Sequence, residues 1–103
     1  TDGAKIEGTV INSIIGSSVV IKKGAVIKDS VIFANTVIGE DSIIEYSIID
    51  ENVVIGKGVH IGSPKADDVE IAVIGRDVTI DDGSIVKQGA NIEENVKNEG
   101  KEE

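Results

Sequence analysis

Three consecutive stretches of this 103-residue chain superimpose on one another at a spacing of 17 residues. From Val10 the sequence reads VINSI-IGSSVV-IKKGAV, from Ile27 IKDSV-IFANTV-IGEDSI, and from Ile44 IEYSI-IDENVV-IGKGVH. Each stretch divides into pieces of five, six and six residues, and each piece opens on an aliphatic residue. The openers are Val10, Ile15, Ile21, Ile27, Ile32, Ile38, Ile44, Ile49 and Ile55. A further round begins at Ile61, is interrupted, and resumes as IGRDVT-IDDGSI-VKQGAN-IEENVK from Ile74. Self-similarity at so short a fixed period describes stacked units, none of which buries its apolar side alone.

The residues available for such a stack point to strands. Apolar residues make up 40% of the chain, yet the only large aromatics are Phe33 and Tyr46. The core must be filled by Ile and Val, whose β-branching suits strands. A helix does not fit, because the apolar positions recur every five or six residues rather than at 3.6. A hairpin sandwich needs strands of roughly five or six residues, longer than this period allows. Short strands joined by turns remain, with Gly16, Gly39, Gly56, Lys23-Gly24, Glu40-Asp41, Glu51-Asn52 and Lys57-Gly58 as the turn-formers.

Three strands and three turns per round give a triangular coil, and stacking the coils ~4.8 Å apart pairs their backbones as parallel strands. One aliphatic column then contains Val10, Ile27, Ile44 and Ile61; a second Ile15, Ile32 and Ile49; a third Ile21, Ile38 and Ile55. Small inward residues fit between them: Ser13, Ser30 and Ser47 on one side, Ala25 and Ser42 on another. The expected class is all-β, a prism of about five triangular coils.

This six-residue unit, an aliphatic residue often followed by Gly with a small or β-branched residue four on, resembles the hexapeptide repeat over roughly residues 4 to 97. The resemblance implies a single-stranded left-handed parallel β-helix; the general preference for right-handed crossovers gives the opposite hand. Residues 1–97 are expected to form this domain and 98–103 a disordered acidic tail. The wider stretch from Glu93 to Glu103 reads as frayed, being polar and without a large apolar residue beyond Val96. From Ile61 to Ile74 the chain carries seven or eight extra residues, including its only proline, Pro64. They predict a loop leaving one corner near residues 62–71, after which Ala72-Val73-Ile74 mimics Ser47-Ile48-Ile49.

The outward strand positions carry the functional signal. In the first three coils they are Ile14, Val31 and Ile48; Val20, Val37 and Val54; and Val26, Ile43 and His60. Eight of these nine are aliphatic; after the interruption Thr79, Ile85, Asn91 and Lys97 are more polar. A prism apolar outside as well as inside predicts an interface on at least one face, with another subunit or domain.

Several chemistries are excluded or weakened. A net charge of −9, from 10 basic and 19 acidic residues, argues against nucleic acid as a partner. With no Cys there is neither a disulfide framework nor a thiolate metal site, and the single His60 cannot supply a three-His metal centre. Asp67-Asp68 and Asp81-Asp82 read as solvated turns, and no Gly-rich phosphate loop follows a long strand. No catalytic, cofactor-binding or metal-binding residues are therefore assigned. Nothing approaches the ~20 apolar residues of a membrane span, so no membrane partner and a cytoplasmic location are expected. The chain opens on Thr1 and contains no Met, which reads as a piece of a longer protein whose repeat is already under way at Ala4 to Thr9.

Residues 28 to 62, with Asp29-Ser30-Val31-Ile32, Val37-Ile38-Gly39-Glu40, Ile48-Ile49-Asp50 and Val54-Ile55-Gly56, resemble the C-terminal β-helix of bacterial glucose-1-phosphate adenylyltransferases. Upstream, Gly8-Thr9-Val10-Ile11-Asn12-Ser13-Ile14-Ile15 is similar to the entry into that helix. The resemblance implies a non-catalytic module that follows an N-terminal catalytic domain making ADP-glucose and pyrophosphate from ATP and glucose 1-phosphate with Mg2+, for glycogen synthesis. The module's implied part is docking to that domain, homo-oligomer assembly and a share in allosteric control. Lys22, Lys23 and Lys28 are the candidate contacts for an anionic effector, beside the plainer reading of ordinary turn lysines. Two other readings stay open: a trimeric acyltransferase with acyl-CoA between prisms and His60 as base, and a purely scaffolding β-helix.

Overall fold

A computed structural model of the protein describes residues 3–97. Fifteen short strands are arranged as five coils of three. The first coil carries β1 (Lys5–Ile6), β2 (Thr9–Ile11) and β3 (Ile14–Ile15). The second carries β4 (Val20–Ile21), β5 (Val26–Lys28) and β6 (Val31–Ile32). The third carries β7 (Val37–Ile38), β8 (Ile43–Glu45) and β9 (Ser47–Ile49). The fourth carries β10 (Val54–Ile55), β11 (His60–Gly62) and β12 (Ala72–Ile74), and the fifth β13 (Thr79–Ile80), β14 (Ile85–Val86) and β15 (Asn91–Ile92). Among the described residues there is no helix.

Equivalent strands of successive coils pair in parallel and build three five-stranded sheets, the three faces of a left-handed β-helix. The first face is β1-β4-β7-β10-β13, the second β2-β5-β8-β11-β14 and the third β3-β6-β9-β12-β15. The usual right-handed rule draws its force from the twist of longer strands. Strands of two or three residues give it little to act on.

The registers match the expected aliphatic columns. Val10 pairs with Ile27, Ile27 with Ile44, and Ile44 with Ile61; Ile15 with Ile32 and Ile32 with Ile49; Ile21 with Ile38 and Ile38 with Ile55. From Ile21 to Ile80 every opener is at most 1% exposed. Truncating one of these isoleucines to Ala costs about 2–5 kcal/mol, the loss of its buried methyl groups plus the cavity left behind.

The period predicts strands Ala25-Val26-Ile27, Ser42-Ile43-Ile44 and Val59-His60-Ile61, and these strands of the second face begin one residue later. Ala25, Ser42 and Val59 precede their strands, because they lie where the chain leaves the turn, whereas the inward Ser47 and Ala72 open β9 and β12. The serines among these positions stitch the coils together. The Ser30 amide donates to Ser13 Oγ at 2.9 Å and the Ser47 amide to Ser30 Oγ at 3.1 Å, while each hydroxyl donates to the carbonyl two residues before it.

The corners share one backbone device. Nearly every turn passes through one residue with positive φ: Asn12, Ser18, Gly24, Asp29, Asn35, Asp41, Tyr46, Asn52, Gly58, Asp77, Gly83 and Gly89. Asn, Asp and Gly tolerate this left-handed region best; Ser18 and Tyr46 are the exceptions. Across most corners the amide of such a residue reaches the neighbouring coil, as from Asp41 to the Lys23 carbonyl at 3.2 Å and from Gly58 to the Glu40 carbonyl at 2.9 Å.

The interruption is a loop between Gly62 and Ala72. Ala72, Val73 and Ile74 re-enter opposite Ser47, Ile48 and Ile49, so the prism resumes in register. Residues 98–103 of the expected tail lie outside the described residues, but Val96 within the frayed-tail reading pairs with Ile80. The Val96 amide donates to the Thr79 carbonyl at 2.9 Å and the Asp81 amide to the Val96 carbonyl at 2.9 Å. One further aliphatic opener is enough to start a sixth coil.

Candidate interaction surface

Alternation along each strand sends one residue inward and the next outward, so every face presents a column of outward side chains. On the first face these are Lys5, Val20, Val37, Val54 and Thr79; on the second Thr9, Val26, Ile43, His60 and Ile85; on the third Ile14, Val31, Ile48, Val73 and Asn91. The eight aliphatic candidates thus divide among all three faces. Ile14 is 67% exposed and Val54 45%, while Val20, Val26, Val31, Val37 and Ile48 are half-buried by their neighbours. Val73 continues the third column, and Ile85, 76% exposed, sits beyond His60. Phe33, 44% exposed, follows Ile32 at the rim of the third face.

His60 is the polar member of the second column's middle. Its Nε2 lies 3.0 Å from Glu45 Oε1, a carboxylate one coil below at the end of β8. Sequence reading placed His60 outward but missed this partner, which only the register of Gly62 over Glu45 brings near. Among the described residues no group of three His, Asp or Glu side chains is arranged to hold a metal ion.

The three candidate lysines do not share one corner. Lys22 and Lys23 lie at the turn between the first and second faces, whereas Lys28 closes β5 at the far edge of the second face. Lys22 lines a cleft of about 340 Å3 with Val37, Gly39, Glu40, Val54, Lys57 and Asp82. Gly39 and Gly56 stack on its floor, and a Cβ at Gly39 would meet the Gly56 backbone. Asp82 does more than solvate a turn: its Oδ1 accepts the Lys57 amide at 2.8 Å.

The inserted loop folds back along the corner between the second and third faces. Lys65 Nζ stands 5.8 Å from the centroid of the Tyr46 ring. It also borders a cleft of about 480 Å3 with Asn12, Ser13, Ile14, Asp29, Ser30 and Val31.

Against known families, the model of the GMPPB C-terminal domain matches residues 1–99. The chain belongs to that family. The GMPPB C-terminal domain is a left-handed β-helix of the nucleotidyltransferase type, the coarser class to which the adenylyltransferase resemblance pointed. Among solved structures, the acetyltransferase domain of PglB from Neisseria gonorrhoeae superimposes with a TM-score of 0.52 at 21% identity, over 92% of this chain and 50% of that one. At that identity the likeness speaks for the fold alone. A mutant perosamine N-acetyltransferase from Caulobacter crescentus follows at a TM-score of 0.33 and 17% identity, over 90% and 49% of the two chains. The chain therefore spans about half the length of the solved proteins it matches. The search of curated proteins returned no match.

Proposed function

We propose that this GMPPB C-terminal-type domain is an assembly module of a sugar-1-phosphate nucleotidyltransferase and performs no chemistry of its own. The observation that carries this reading is the set of aliphatic columns on the outside of a prism whose inside is already filled. Val20-Val37-Val54, Val26-Ile43 and Ile14-Val31-Ile48-Val73 add nothing to the core, and their exposure to water is a cost that another protein surface removes. The partners are a catalytic domain of the same protein and further copies of it, in the cytoplasm. The finer reading is a glucose-1-phosphate adenylyltransferase, supported by the motifs between Lys28 and Gly62. Under it the catalytic domain brings Mg2+ and makes ADP-glucose for glycogen synthesis, and this module shares in its allosteric control.

The test is enzymatic. The purified chain should turn over neither nucleoside triphosphate with sugar 1-phosphate nor acyl-CoA. The full-length protein should be assayed with each nucleoside triphosphate against several hexose 1-phosphates. Preference for ATP with glucose 1-phosphate supports the finer reading, and preference for another pair removes it while leaving the module reading intact. Absence of any such activity in the full-length protein overturns both.

The His60–Glu45 pair favours a second reading, because a carboxylate that orients an imidazole is what a general base for acyl transfer needs. Acetyl transfer by the chain that disappears in His60→Ala would establish it. The purely scaffolding alternative gains no observation of its own.

A further inference from the structure

We propose that the first face is a self-complementary surface on which a second copy of this chain packs antiparallel, about a two-fold axis passing between Val37 and Val54. The inference rests on the assembly reading above and names the partner, the face and the orientation. At the edge of this face two columns of residues run up the corner: Lys22, Gly39, Gly56, Asp81 and, one residue on, Lys23, Glu40, Lys57, Asp82. The outer column alternates in sign from the second coil to the fifth, with Gly8 at its foot in the first. Rotation about an axis perpendicular to the prism and lying in the face reverses the order of the coils. It sets Lys22 of one copy opposite Asp81 of the other, Lys23 opposite Asp82, Glu40 opposite Lys57, and Gly39 opposite Gly56. Each contact occurs twice, as a two-fold requires.

The apolar part fits the same operation. Val37 of one copy meets Val54 of the other, and Val20 meets Thr79. At the axis lies the 340 Å3 cleft floored by Gly39 and Gly56, a concavity that the two-fold sets against its own copy. On the opposite edge the operation pairs Ser17 with Arg76 and Ala34 with Glu51, with no like charges opposed. The same reversal on the second face opposes Lys28 to Lys87, and the edge of the third face alternates only over Glu51, Arg76 and Glu94, with Ser17 and Ala34 neutral below them. A parallel two-fold on the first face opposes Lys57 to Glu51 and Asp82 to Arg76 but leaves Glu40 facing Ala34. The antiparallel arrangement satisfies more of the charges, and complementary charge is what sets orientation and register in an interface.

Charge exchange between copies tests it. Sedimentation velocity at low salt should show the chain self-associating. Glu40→Lys and Lys57→Glu should each raise the dissociation constant by about tenfold or more, since each puts two like-charge contacts at the axis. An equimolar mixture of the two variants should associate within about threefold of the unaltered chain, because every 40–57 contact between unlike copies is again of opposite sign. Within each chain nothing changes on mixing, so recovery reports only the contact between copies. Unchanged thermal unfolding of each variant confirms that the prism is intact. A Glu40→Lys chain that self-associates like the original overturns the antiparallel register, as does a mixture no tighter than its components. Association that persists through either result leaves the assembly role standing with a different face. A chain monomeric at millimolar concentration overturns this inference, and full-length protein that is also monomeric overturns the assembly role with it.

Discussion

Ser42 and Ser84 occupy the same inward column two coils apart, with Val59 between them, yet only the Ser42 hydroxyl is bonded. It donates to the Gly56 carbonyl at 2.7 Å and accepts the Val59 amide at 3.1 Å. Ser84 Oγ is buried with no partner among the described residues. Ser42→Ala should therefore lower stability by about 1–3 kcal/mol, since it strands a buried amide and a carbonyl. Ser84→Ala should leave stability unchanged or raise it by up to about 1 kcal/mol. Urea unfolding of the two variants measures the difference, and equal losses would contradict the column.

Gly58 and Gly62 separate backbone strain from collision. Both have positive φ, at 62° and 81°. A Cβ on Gly58 meets nothing within 4 Å, whereas one on Gly62 would strike the Glu45 carbonyl and approach Ser47 Oγ at 2.8 Å. Gly58→Ala should cost about 1–2 kcal/mol, the ordinary penalty of a side chain in the left-handed region. Gly62→Ala should cost clearly more, because the obstructing atom is backbone in a buried coil. Thermal unfolding that ranks them the other way would refute the corner geometry.

Much of this was readable because β-branched openers at a fixed period leave so few foldings. Val10, Ile27, Ile44 and Ile61 have one way to lie on top of each other, and Ala72-Val73-Ile74 had to rejoin opposite Ser47-Ile48-Ile49. The outward positions were readable for the same reason, as whatever alternates with the openers. Contacts between coils were not. Glu45 is 15 residues from His60 and on no common motif with it. Lys28 looks near Lys22 along the chain, yet the width of the second face lies between them. Tyr46 and Ser18 hold positive φ without the Asn, Asp or Gly that usually announces it. Val96, a single aliphatic residue in a charged segment, carries no periodic signal, although its two backbone bonds extend the first sheet.

Ile43 and Ile44 are neighbours whose substitution should have opposite consequences. Ile44 is 0% exposed and Ile43 36%. Ile44→Ala should cost about 2–5 kcal/mol. Ile43→Glu, like Val26→Glu beside it, should leave the melting temperature within a few degrees while, under the proposed assembly role, weakening association by putting a charge in place of an outward apolar side chain. Light scattering of the full-length protein reads the second effect. Unaltered assembly in both glutamate variants would clear the second face of any docking role.

The loop offers the most direct check on the coil register. Gly62 pairs with Glu45 and Ala72 with Ser47, so a single residue equivalent to Tyr46 suffices between them. Deleting Pro64 to Ile71 leaves Gly62-Ser63-Ala72 in the place of Glu45-Tyr46-Ser47. Three contacts between the loop and the prism disappear: the Glu70 amide to Gln88 Oε1 at 2.8 Å, the Gly89 amide to the Glu70 carbonyl at 3.0 Å, and the Lys65–Tyr46 stacking. Together these are worth about 2–3 kcal/mol, and shortening the connection returns a fraction of it. Because Ser63 must then take a positive φ, Ser63→Gly in the deleted chain should recover about 1 kcal/mol. The shortened protein should keep the β-rich circular dichroism of the parent and unfold cooperatively a few degrees lower. Loss of cooperative unfolding even with Ser63→Gly would mean that the fourth coil is not stacked in the register that Gly62 and Ala72 define.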